Sequence, residues 1–140
     1  MKATLVSRHD LPRAWPHLWP LLEPAVRRSA DVPAPRPLAR LIAGEAQLWA
    51  VVEAGRPIAA VVTQITLQPE TRCLVWLVGG RRLRDWAPFF VARLEAWARG
   101  WGCVSIWGAG RPGWARLVAA MGGVRIADVD GQPAWERRMA

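Results

Sequence analysis

The stretch from Arg72 to Trp107 constrains the fold more than any other part of the chain. Cys73 to Val78 (CLVWLV) is an apolar run too short for a helix, so it reads as a buried strand, and Gly79-Gly80 ends it. After Arg81-Arg82-Leu83-Arg84-Asp85, the residues Trp86, Phe89, Phe90, Leu94, Trp97 and Trp101 recur at helical spacing and form one apolar stripe. Gly100 and Gly102 close that helix, and Cys103 to Trp107 (CVSIW) supplies a second buried strand. Strand, helix and strand make a βαβ unit, whose right-handed crossover sets the two strands parallel. The turn after Val78 therefore opens at the carboxyl edge of a sheet and faces a helix amino terminus, where anions are held.

The other segments extend this unit on both sides. Ala3 to Ser7 reads as a first strand. Pro12, Pro16, Pro20 and Pro24 then recur every four residues. An interior proline removes a helical N–H and clashes with the carbonyl four residues earlier, at roughly 3 kcal/mol, so short helical pieces or a bent helix are expected from Leu11 to Arg28. A proline-rich connector, Ser29 to Pro37, leads to a small helix through Leu38, Leu41 and Ile42. Gln47 to Glu53 and Pro57 to Leu67 form a hairpin about Ala54-Gly55-Arg56. Beyond the central unit, Trp114 to Met121 reads as a short helix, and Val124 to Val129 with Ala134 to Arg138 as a closing hairpin. Residues 1–140 are thus expected to form one domain of α/β (α+β) class, a mixed, mostly antiparallel sheet flanked by helices.

Composition narrows the partners. No apolar run approaches the roughly 20 residues that span a bilayer, and Met1-Lys2 leads into no secretory h-region, so a soluble cytoplasmic protein without membrane contact is expected. Cys73 and Cys103 fall in buried strands, and two histidines with no CxxC offer no metal site. The net charge of +8 favours nucleic acid, a phosphorylated ligand or an acidic protein surface. Ten tryptophans and no tyrosine are the oddest feature. Most indoles belong to a core, but Trp15, Trp19 and Trp114 lie outside the central unit and, with Arg111, are candidates for a partner surface.

Two segments could carry chemistry. Gly108, Gly110 and Gly113 spell GxGxxG between a strand and a helix, but only a hairpin follows, and Pro112 removes an N–H that a pyrophosphate would need. The better anion site is Gly79 to Arg84, where Gly79 and Gly80 permit close backbone approach and Arg81, Arg82 and Arg84 add charge. A solvated basic turn with Asp85 as helix cap is the bland alternative. No serine, histidine and carboxylate are spaced as a nucleophilic trio, and Glu53, Glu70 and Glu95 fall on separate elements.

The order of elements resembles the GNAT (GCN5-related N-acetyltransferase) fold over nearly the whole chain. The hairpin QLWAVVEAGRPIAAVV at 47–62, the central unit, and WARLVAAMGGVRI at 114–126 carry the resemblance. Gln47-Leu48-Trp49 and Gly110-Arg111-Pro112-Gly113-Trp114 make it most similar to short members encoded by phages and prophages. In that family an R/Q-x-x-G-x-G/A turn binds acetyl-CoA pyrophosphate, and a tyrosine in the last helix often protonates the departing thiolate. Here Arg84 and Trp86 stand where small residues belong, filling the space the pyrophosphate needs, and the chain has no tyrosine. The resemblance thus implies a non-catalytic binding or virion-assembly component, in the bacterial host cell or the virion, that contacts a phage or host protein or a second copy of itself. The alternative it implies is an active N-acetyltransferase, with acetyl-CoA held by Val78, Gly79, Gly80, Arg81, Arg82 and Arg84 and with Glu53 or a water as base. Nucleic-acid binding through dispersed arginines is the remote alternative.

Overall fold

The chain was analysed as a computed structural model, which describes residues 1–29, 32–110 and 118–139. Its elements run β1 (Lys2–Leu5), α1 (Leu11–Arg28), α2 (Arg36–Ile42), β2 (Gln47–Glu53), β3 (Arg56–Thr66), β4 (Arg72–Gly80), α3 (Leu83–Gly100), β5 (Ser105–Ala109), β6 (Val124–Val129) and β7 (Gln132–Arg138). The strands form one sheet in the order β1-β2-β3-β4-β5-β7-β6. All neighbours are antiparallel except β4 and β5, the pair joined by the α3 crossover. The mixed, mostly antiparallel sheet expected from the sequence is the one observed.

Helices cover both faces. On one face α3 packs Trp86, Phe90, Leu94 and Ala98 onto Trp49, Val51, Val61, Cys73 and Ile106. On the other, α1 and α2 pack Leu18, Leu22, Val26 and Leu41 onto Leu48, Ala60, Val62 and Leu77. Trp49 is wholly buried, so its indole N–H needs a partner inside the protein. It donates to Thr63 Oγ1 at 3.1 Å, and that hydroxyl donates to Gln47 Oε1 at 2.9 Å.

Of the two forms expected for Leu11–Arg28, separate pieces are not seen, and the segment is one continuous helix. The four-residue proline spacing is the reason. Each of Pro16, Pro20 and Pro24 leaves unpaired the carbonyl of the proline before it, so the missing hydrogen bonds share one stripe of the helix. Pro12, Pro16 and Pro20 are exposed, which leaves those carbonyls to water, while Leu11, Leu18, Leu22 and Val26 form the buried face. No described helix is long and apolar enough to cross a membrane.

Cys73 and Cys103 are buried free thiols. Burial pushes Cys73 up to about 12, the nearby Cys103 adding to the effect, and burial pushes Cys103 up as well. A thiol whose folded pKa exceeds its unfolded value stabilises the fold fully below the unfolded pKa, and that contribution is lost as pH rises through the folded one. Stability should therefore fall above about pH 9, at up to ~1.4 kcal/mol per pH unit for Cys73. Urea titrations across this range should show a shallower alkaline decline in Cys73→Ala, from a lower starting stability.

Candidate functional site

The site begins where two strands part. β4 and β5 pair only at Cys73↔Ile106 and Leu74↔Trp107. Beyond that, β5 continues against β7 to Ala109↔Ala134, and β4 continues against β3 to Gly80↔Ala59. From Val75 to Gly80, one edge of β4 has no neighbouring strand although it lies in mid-sheet. Backbone N–H and C=O groups on such an edge need water or a ligand. The gap widens into a cleft of about 500 Å³ that crosses the sheet, walled on one face by Ala25, Arg28 and Ser29 and on the other by Trp86, Ala87 and Phe90.

A β-bulge shapes the free edge. Val62 pairs with Leu77 and Thr63 with Val75, so Trp76 is an extra residue without a partner on β3. Side-chain alternation breaks there. Trp76 and Leu77 both pack on the α1 side, whereas Val75 and Val78 pack on the α3 side. Trp76 lines the cleft, and the Arg40 guanidinium lies 5.6 Å from its ring centroid.

The divergence is fastened at its closed end. Ser105 Oγ donates to Glu136 Oε2 at 2.6 Å, and Arg72 pairs with the same oxygen at 3.4 Å. Arg72 also lies over the Trp107 ring at 4.5 Å, and Trp107 Nε1 donates to Thr66 Oγ1 at 3.2 Å. This cluster joins the ends of β3 and β4 to β5 and β7.

At the open end the turn before α3 differs from its sequence-based reading. A Cβ on Gly79 would lie 1.8 Å from the Leu21 carbonyl oxygen of α1, and one on Gly80, at φ +127°, would lie 2.4 Å from the Ile58 carbonyl oxygen of β3. Both glycines are thus required by the protein's own packing, whether or not a ligand binds. With Val78 they line a second hollow of about 280 Å³, between α1 and the start of α3. Arg82 is the N-cap of α3, in the left-handed region at φ +59°, and pairs with Asp85 at 2.8 Å and with Glu53. These acids, Asp85 foremost, push its pKa further up. Arg82 is therefore an internal tie, and Asp85 is its partner rather than the cap.

Arg81 and Arg84 are exposed at the same turn and have no ion pair among the described residues. No side chain caps the first turn of α3. Trp86 does not fill the turn as expected: it is 2% exposed, turned into the core, and its Nε1 donates to the Arg81 carbonyl at 2.8 Å.

The remaining expectations separate. Glu53, tied to Arg82, does not line either hollow. Trp15 and Trp19 are half-buried on α1 and stack on each other at 5.4 Å. Gly108 lies within β5 and the Gly110 N–H donates to the Pro133 carbonyl, so this part of the GxGxxG run belongs to the sheet. Arg111, Gly113, Trp114 and most of the helix expected at 114–121 lie outside the described residues.

Sequence reasoning missed Arg28, Ser29 and Trp76 as cleft residues. Arg28 had one signal. Arg27 pairs with Glu23 four residues earlier, whereas Arg28 has Pro24 there and no ion pair among the described residues. The bulge had none, because CLVWLV is apolar throughout and hides a break in alternation.

No protein-family model matches the chain, and no curated protein matches its sequence. Solved structures do match. The chain superposes on Tetrahymena GCN5 with a TM-score of 0.77 at 8% identity, covering 100% of this chain and 97% of that one. The aminoglycoside 6'-acetyltransferase type Ii matches with a TM-score of 0.75 at 14% identity, over 99% and 97% of the two chains. A Bacillus subtilis acetyltransferase in complex with CoA matches with a TM-score of 0.71 at 10% identity, over 99% of each. The chain has the fold of the GNAT acetyltransferases.

The glycine geometry yields a test that needs no ligand. Gly79→Ala should destabilise the free protein by about 1–3 kcal/mol or more, because a backbone carbonyl must move to admit the methyl. Gly100→Ala, at the end of α3 with open space around it, should be neutral or stabilising. Thermal unfolding of the two variants measures the contrast.

Proposed function

We propose that the protein binds an acyl-coenzyme A thioester in the cleft between β4 and β5 and transfers its acyl group to an amine. The observation that carries this reading is the unpaired edge of β4 from Val75 to Gly80, inside a cleft that crosses the sheet. Such an edge suits an extended chain bearing amides, which its backbone groups can pair with as they would with a strand. Coenzyme A has an arm of that kind. The backbone of Val75 to Val78 would hold the arm, and the uncapped first turn of α3 with Arg81 and Arg84 would hold the diphosphate. Gly79 and Gly80 would contribute by letting α1 and β3 close on the turn.

When bound, the thioester supplies an activated acyl carbon that an amine nitrogen can attack, with loss of the thiol. The chain's part is to fix the two reactants, exclude water with Phe90, Ile106 and Trp135, and offer backbone groups of the free β4 edge to the carbonyl oxygen. Among the described lining residues there is no Asp, Glu or His to take the amine proton, so water removes it.

That last feature also favours a second reading, in which the fold binds without transfer. This would be a component of phage or prophage type whose partner is a phage or host protein, a second copy, or nucleic acid. Its surface would include the Trp15–Trp19 pair.

Acetyl-CoA titration decides between them. Saturable change in tryptophan fluorescence, with a matching rise in melting temperature, is expected from the first reading. Arg81→Ala and Arg84→Ala should each weaken binding about three- to fivefold. Indifference to millimolar acetyl-CoA would leave the second reading.

A further inference from the structure

We infer that the acceptor is an aromatic amine whose nitrogen is uncharged near neutral pH, and that ammonium and polyamine acceptors are excluded. The inference rests on the acyl-transfer reading and names its substrate class.

Acyl transfer needs the nitrogen lone pair. An alkylammonium that titrates near about 10 is almost wholly protonated at neutral pH, so a site that uses one needs an anion to attract it and a base to deprotonate it. This cleft offers neither among its described residues. Four acids on the surrounding elements are paired with arginines, and Asp130, in the turn between β6 and β7, is exposed and does not line the cleft. Glu95 of α3 pairs with Arg137 and Arg99, and Glu53 at the end of β2 pairs with Arg82. Glu136 of β7 accepts from Ser105 and Arg72, and Glu70, between β3 and β4, pairs with Arg138.

The charges that do face the cleft are positive. Arg28 comes from α1 and has no ion pair among the described residues. Arg137 comes from β7, held by Glu95 and by donation of its Nε–H to the Met121 carbonyl. Arg81 and Arg84, exposed at the start of α3, line neither hollow and add positive charge only from the neighbouring turn. A bound ammonium would lose hydration and meet like charge, and both effects lower its pKa and expel the charged form. An amine that arrives neutral meets neither barrier.

The walls select the rest of the molecule. Trp76, Trp107 and Trp135 line the cleft with Phe90, so a flat aromatic ring can replace water against them. A weakly basic arylamine satisfies both requirements at once.

The experiment compares aniline, benzylamine and spermidine at about pH 7 with saturating acetyl-CoA, whose binding is measured separately by fluorescence. Aniline should be acetylated at least about tenfold faster than benzylamine per unit concentration, and spermidine not at all. The aniline rate should be flat with pH, while the benzylamine rate should climb about tenfold per pH unit toward that amine's own pKa, since no group of the protein titrates in the step. Arg28→Glu, which places a carboxylate in the cleft, should shift preference toward benzylamine. A preference for spermidine or benzylamine in the native protein overturns the inference and leaves the cofactor reading standing. So does acetyl-CoA binding with no transfer to any of the three. A pH-dependent aniline rate would show a titrating group of the protein in the step and also overturn it. Absence of acetyl-CoA binding overturns both.

Discussion

The parallel contact of β4 with β5 lasts for two residue pairs, and the cleft exists because it stops there. Each end has its own cause. At the closed end Ser105, Glu136, Arg72, Trp107 and Thr66 fasten four strands through largely buried polar contacts. A buried ion pair adds little net stability over an apolar substitute, yet removing one partner leaves the other charge stranded at several kcal/mol, roughly 3–5. Such a cluster therefore fixes where the strands meet more than how strongly. At the open end the Trp76 bulge turns β4 while Gly79 and Gly80 admit α1 and β3, drawing the strand away from β5.

The positive charge is less diffuse than the net value of +8 suggests. Arg13, Arg27, Arg72, Arg82, Arg125, Arg137 and Arg138 each sit against an acid. Arg28, Arg81 and Arg84 do not, and they lie around the two hollows and the turn between them. Lys2, Arg8, Arg56 and Arg93 also have no acid partner among the described residues, so the cleft region holds one share of the unpaired charge.

Much of the fold was legible because its signals are local. The order of strands and helices follows from the lengths of apolar runs and the glycines that end them, and the parallel pair follows from the length of the α3 crossover. What sequence missed depends on neighbours distant in the chain. Gly79-Gly80 reads as a ligand cradle until Leu21 and Ile58 are seen pressing on it. Arg82 reads as a free cation until Glu53, from the preceding hairpin, is found beside it. Trp86 reads as an obstruction because spacing alone cannot say which way a side chain turns at the start of a helix. The continuity of α1 was readable in principle, since a period of four puts every proline on one stripe, but a per-residue proline penalty obscures it.

A cleft with no Asp, Glu or His among its described lining residues is not thereby inert. Acyl transfer from a thioester to a neutral amine begins with an adequate nucleophile and an activated carbonyl, so the barrier lies mainly in bringing them together and stabilising charge on oxygen. Alignment of two bound reactants can supply about 7–11 kcal/mol of such a barrier. Fixed backbone dipoles in a water-poor cleft supply more, because they need not reorganise as charge develops. The features this chain does possess, a strand edge without a neighbouring strand in mid-sheet and aromatic walls, are those that serve approximation and electrostatics. The missing tyrosine and the committed acids would confine its chemistry to acceptors that need no proton removed before they attack.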